Sequence, residues 1–193
     1  MPTVFGDFLE ADDQHEFLTI AFSASDIPLQ KRWRNNGLSA DFLANYWGTF
    51  FPEYDQISLQ RKKEMKNSIA YVANELLENT MKFHDIQQHA PISLKIAMLE
   101  EELRFYVTNC VSLEKAAEFQ AYIQHLLTHN SEELYFEQIE KNARGEDETI
   151  SRLGLLTLLN DYHAKLAWKF EQSGAETRGI IVTIMASIPI LSP

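Results

Sequence analysis

The sequence predicts an α+β domain in which a mixed or mostly antiparallel sheet packs helices on one face. Three observations carry the prediction. Residues 58–84 hold Ile69, Val72, Ala73, Leu76 and Phe83 at helical spacing. Segments 92–98 and 103–108 alternate apolar and polar residues across the acidic turn Glu100-Glu101-Glu102, the pattern of a hairpin. Near the end, Ile180-Ile181-Val182-Thr183-Ile184-Met185-Ala186 is an almost unbroken apolar run suited to a central strand.

The elements follow in order. Phe17 to Ser23 reads as a first strand, bounded by the turn-like Ala24-Ser25-Asp26-Ile27-Pro28. Residues 38–50 read as a short aromatic-rich helix stopped near Pro52. The long helix runs from about Ser58 to His84, and Pro91 separates it from the hairpin. Residues 113–142 form one or two helices and end in a polar stretch that continues through Glu148. A further helix over Ser151 to Tyr162 contains Leu153-Gly154-Leu155-Leu156. Leu166 to Glu171 alternates as a strand, and a loop over 173–178 leads to the last one. There is no internal repeat, low-complexity tract or linker, so residues 1–193 read as a single domain with its core at about 15–188.

Composition excludes several classes. A 45% hydrophobic and 11% aromatic share is that of a globular protein rather than a disordered one. The net charge of −11, from 17 basic and 28 acidic side chains, repels a polyanion, so no nucleic-acid partner is expected. The cluster Lys31-Arg32-Trp33-Arg34 is short and reads as a solvated face or a protein contact. No run is long enough to cross a bilayer, and the start lacks a basic segment followed by an apolar one. A soluble, cytoplasmic protein without membrane contact is expected, and a lone Cys110 agrees with a reducing compartment. His125 and His129 have the spacing of a helical metal pair, but no third ligand pattern joins them.

The most informative segment is residues 74–84. At roughly 100° per residue, Glu75, Asn79 and Lys82 fall within about 60° of arc and form one polar stripe. That stripe abuts the apolar face, whereas a solvated helix puts the two opposite one another. A carboxylate, an amide and an ammonium beside the core can face a cleft and supply a base, a metal or phosphate ligand and a positive charge. The plain alternative is an amphipathic helix with three exposed polar residues.

The pattern Glu75-Leu76-x-x-Asn79-x-x-Lys82-Phe83 resembles the N-box of the GHKL ATPase superfamily. The element order is similar too, with a site helix, a hairpin, a lid-like helical region, a helix opened by Gly-Leu and two closing strands. The resemblance implies a GHKL-like two-layer sandwich and binding of ATP with Mg²⁺. By position it puts Mg²⁺ on Asn79, the general base of the anti-sigma serine kinases on Glu75, and Lys82 near the phosphates. Ser151-Arg152-Leu153-Gly154-Leu155 stands where the family has its second glycine box, so Arg152, Gly154 and Leu155 are implied phosphate contacts. Asn109 stands where the family has the Asp that accepts from the adenine amino group, and it keeps an amide oxygen for that purpose.

The departures are specific. The glycines of the first glycine box are absent, since no glycine lies between Gly48 and Gly145. Glu146, Asp147 and Glu148 occupy a lid-like position where carboxylates would repel phosphates unless they point away. The nearest resemblance is to stand-alone regulators: RsbW-type anti-sigma kinases and, more closely, SiaB-like protein kinases. It implies a small serine/threonine kinase acting on a small regulatory partner, an anti-sigma antagonist or SiaC-like protein, in a partner-switching circuit. Because such regulators often pair, it also implies a homodimer. The alternative is a binding module of the same shape that has lost nucleotide and sequesters its partner.

Overall fold

The structure, a computed structural model, describes residues 1–22, 29–85, 90–144, 153–173 and 179–190, and only the backbone of 29–35. In chain order the elements are β1 (Thr3–Phe5), β2 (Glu16–Phe22), α1 (Leu29–Gly48), α2 (Gln56–Phe83), β3 (Ile92–Met98), β4 (Glu102–Val111), α3 (Leu113–Thr128), α4 (Ser131–Ala143), α5 (Leu153–Asn160), β5 (Lys165–Gln172) and β6 (Ile180–Pro189). The strands form one six-stranded sheet in the order β1-β5-β6-β4-β3-β2. Every pairing is antiparallel, which resolves the choice between a mixed and an antiparallel sheet.

The α+β sandwich follows from the alternation of the strands. Leu94 and Ile96, Leu103, Phe105 and Val107, Leu166, Trp168 and Phe170, and Val182, Ile184 and Ile188 share one face and one hydrophobic cluster with α1, α2, α3 and α5. Helix α2 supplies Ile69, Val72, Ala73, Leu76 and Leu77, all fully buried. Its start is fixed by a capping box, in which the Asp55 side chain accepts from the Ser58 N–H at 2.7 Å and the Ser58 hydroxyl accepts from the Asp55 N–H at 3.0 Å. Residues 113–142 divide into two helices because Asn130 caps α4, accepting from Glu132 and Glu133.

The other sheet face is closed differently. Gly6, at φ +70°, turns the chain out of β1, and a Cβ there would stand 2.8 Å from the Leu166 carbonyl oxygen. From Gly6 the chain runs to β2 at the opposite edge of the sheet, and its side chains meet residues of the strands between. Phe8 packs with Tyr106, Ala167 and Met185. Further along, Glu10 pairs with Lys169 at 2.9 Å and Asp13 with Lys95 at 2.6 Å.

Two elements differ from the sequence expectation, β1 and α1. β1 was missed because three residues cannot display a period. α1 begins at Leu29 rather than near residue 38. The basic run 31–34 masks its apolar periodicity, although Pro28 immediately before it favours a helix start. α5 is described from Leu153, so the expected beginning at Ser151 lies outside the described residues, as do Ser23 and the acidic stretch 146–148.

Candidate functional site

Helix α2 places Tyr71, Glu75 and Asn79 four residues apart along one side, facing the start of α5. A Cβ built on Gly154 would stand 2.0 Å from Glu75 Oε2, 3.1 Å from Glu75 Cδ and 3.5 Å from Asn79 Nδ2. The carboxyl of Glu75 therefore lies directly on the Gly154 backbone, and any side chain at 154 displaces it. Asn79 Nδ2 donates to the Glu75 carbonyl at 2.9 Å, which orients the amide and turns its Oδ1 away from the helix backbone. Two motifs about 80 residues apart in sequence thus meet in space.

The electrostatics of this contact are unusual. Burial raises the Glu75 carboxyl above its ordinary range, and the charge of Glu78 adds to the effect. No ion pair among the described residues involves Glu75. Tyr71, one turn before it, stacks on Tyr162 with ring centroids 4.7 Å apart and planes 12° from parallel. Burial raises both phenols first, and the Glu75 charge contributes to each. The tyrosine pair holds the chain beyond α5 against α2 beside the carboxyl. Sequence reasoning passed over both tyrosines. The available signal was Tyr71, four residues before Glu75 on the same side; Tyr162 had none.

The remaining candidates are placed as follows. Lys82 is exposed and rests over the Phe83 ring, its Nζ 5.8 Å from the centroid. It is not brought against Glu75 and Asn79. Asn109 is 4% exposed on β4 and donates from Nδ2 to the Thr80 carbonyl at 3.1 Å, tying the last turn of α2 to the sheet. Leu155 is buried in the main core beside Gly154. Arg152 lies outside the described residues. β4 runs into α3 through Ser112, whose hydroxyl caps the helix by accepting from Lys115 at 3.3 Å. His125 and His129 lie with ring centroids 4.0 Å apart, and among the described residues no group of three metal-ligating side chains forms.

Two open concavities lie elsewhere. One of about 490 Å³ is lined by Ile20, Ala21, Phe22, Leu38, Ser39 and Phe42. Another, of about 520 Å³, borders the β3–β4 turn, His15 and Lys165. No described helix is long and apolar enough to cross a membrane.

No protein-family model matches the chain, and no curated protein matches its sequence. Among solved structures it is similar to a chain in the crystal structure of the SiaB–SiaC complex from Pseudomonas aeruginosa. The TM-score is 0.57 at 17% identity, over 88% of this chain and 89% of that one. The likeness spans both layers of the sandwich, so this chain has the fold found in that complex.

Proposed function

We propose that the chain is an ATP-dependent serine/threonine kinase acting on a small regulatory protein, with its centre where α2 meets α5. The observation that carries the reading is the carboxyl of Glu75, desolvated, outside every described ion pair and seated on Gly154 beside Asn79. A half-buried carboxylate outside every described ion pair is costly as pure structure, and such sites are enriched in function.

The residues fit magnesium and phosphate chemistry in part. Asn79 offers an amide oxygen, a hard ligand, and Gly154 leaves bare backbone at the point of approach. Mg²⁺, when bound, would neutralise phosphate charge. Glu75 would take the proton of the attacking hydroxyl as its oxygen bonds to the γ-phosphorus and the bond to the ADP oxygen breaks. A carboxyl already raised by burial is a better base for that step than an exposed one. Lys82 would balance phosphate charge from the rim, Arg152 is implied in that role by its motif position alone, and Leu155 would help fix Gly154. Asn109 gives one of its two amide N–H donors to Thr80, and its Oδ1 is the acceptor that an adenine amino group would need. The partner-switching role and a small SiaC-like partner rest on the fold shared with the SiaB–SiaC complex.

A second reading has its own observation. β4 passes into α3 through a capped Ser112 with no glycine turn between, which favours a module of this shape that holds its partner without nucleotide. Incubation with γ-labelled ATP, magnesium and a candidate SiaC-like protein separates the two. The kinase reading expects label on the partner, loss of label with Glu75→Gln, and loss with Asn79→Ala. Partner capture that ignores ATP, with no transfer, supports the binding module.

A further inference from the structure

The sheet face turned away from the helices is basic. Lys95, Arg104, Lys165 and Lys169 are the lysines and arginines of all six strands, and the pairing register puts every one of them on this face. Lys95 lies in one row with Tyr106, Met185 and Ala167, Arg104 with Ser187 and Lys165, and Lys169 with Thr183 and Thr108. Glu102 and Glu171 of the same strands pair with Arg104 and Lys169. In a chain of net charge −11, these four cations make one face a local exception that an acidic group can approach.

Residues 7–15, between β1 and β2, cross this face as a strap. Asp7-Phe8-Leu9-Glu10-Ala11-Asp12-Asp13-Gln14-His15 holds four carboxylates and no lysine or arginine. Lys169 donates to both Glu10 oxygens, at 3.0 and 2.9 Å, and Lys95 to the Asp12 carbonyl at 2.8 Å and to Asp13 at 2.6 Å. Phe8 is the apolar anchor, edge-on to Tyr106 at 6.3 Å with the Lys169 ammonium 5.4 Å from its centroid. No strand ladder among the described residues includes the strap. Glu10 and Asp13 stand mostly in water, whereas Lys169 and Lys95 are only 14% and 16% exposed. Such carboxylates exchange readily for other acids, because water and salt leave each pair little net attraction.

We propose that this face is a docking surface for an acidic, aromatic-bearing segment of a partner protein, and that the strap is the stand-in for that segment within the chain. The strap displays the chemistry the surface reads: carboxylates over Lys95 and Lys169 and a ring on Tyr106. A partner segment of that pattern takes the same contacts once the strap lifts. It also gains Lys165, which is exposed and outside every described ion pair. Because β1 and β2 hold the strap at both ends, it competes at high effective concentration and sets a threshold that the partner must exceed. The surface lies across the sheet from α2 and α5, so it is separate from the proposed kinase centre and its test needs no phosphoryl transfer.

A fluorescent peptide with the sequence of residues 7–15 is the probe, titrated by anisotropy into the full chain and into the double variant Glu10→Gln, Asp13→Asn. The variant, whose own strap competes less, should bind the peptide at least about tenfold more tightly than wild type. Binding should disappear in about 1 M salt, and with a control peptide whose four acids are replaced by their amides. Adding Lys169→Gln to the double variant should weaken binding by about tenfold. Equal binding to wild type and double variant, or binding to neither, overturns the proposal. So does an amide peptide that binds as well as the acidic one. If the double variant misfolds, amide exchange on wild type decides: excess peptide should strip protection from residues 7–15 and leave β3 to β6 protected. A strap that keeps its protection under excess peptide overturns the proposal.

Discussion

The two faces of the sheet are closed by different physics. The helix face carries Trp168, Phe105, Leu103, Leu94 and Ile96, all fully buried in one continuous cluster. The opposite face has a small cluster of Tyr106, Ala167 and Met185, covered by Phe8 and by ion pairs to the amino-terminal segment. The acids in those pairs are 72–79% exposed while their lysines are mostly covered. Stability therefore comes from the helix face, and the other is fastened by contacts that water and salt can loosen. Glu75 belongs to the stable side, and that is what makes its carboxyl anomalous: it is a charged group held within the layer that does the folding.

Substitutions sharpen this contrast. Trp168→Ala should cost about 3–5 kcal/mol in urea unfolding, as removal of a large buried aromatic does. A loss under about 1 kcal/mol would mean that the helix face does not carry the fold.

Glu75→Gln probes the anomaly. Because the folded carboxyl is raised above its unfolded value, the folded chain binds the proton more tightly, and stability falls as pH rises through the folded value. The variant should therefore melt higher than wild type at pH 7, and the gap should close below the ordinary carboxyl range. A variant that melts lower at pH 7 would show that the carboxylate is stabilised by a partner. Gly154→Ala acts on the same contact. Its methyl meets the flexible end of Glu75, so the chain should stay folded while the carboxyl is displaced. Carbon-detected titration should then find Glu75 back near its ordinary value. An unchanged titration would contradict the close approach.

The smallest effects should lie on the strap. Glu10→Gln and Asp13→Asn should each cost under about 1 kcal/mol, and the cost should vanish in about 1 M salt. A loss that persists in high salt would erase the distinction between the faces.

What could be read beforehand divides along physical lines. The hairpin, β6 and α2 were legible because their apolar spacing is local and their faces are buried. The stripe of Glu75 and Asn79 was legible for the same reason. Its contact with Gly154 was suggested only by motif order, because no local pattern reports that a carboxyl will rest on a backbone about 80 residues away. Tyr162 could not be read at all, since its meaning depends on stacking with Tyr71. The strap over the second face was likewise hidden: Glu10 and Asp13 look like ordinary surface acids until the strands beneath them are assembled.

Calorimetric titration of ATP with magnesium into wild type and Asn79→Ala tests the central claim most directly. Binding to wild type that requires magnesium and weakens at least about tenfold in the variant is the predicted result, given the worth of a charge-assisted contact. Equal heats for the two proteins, or none for either, would contradict it.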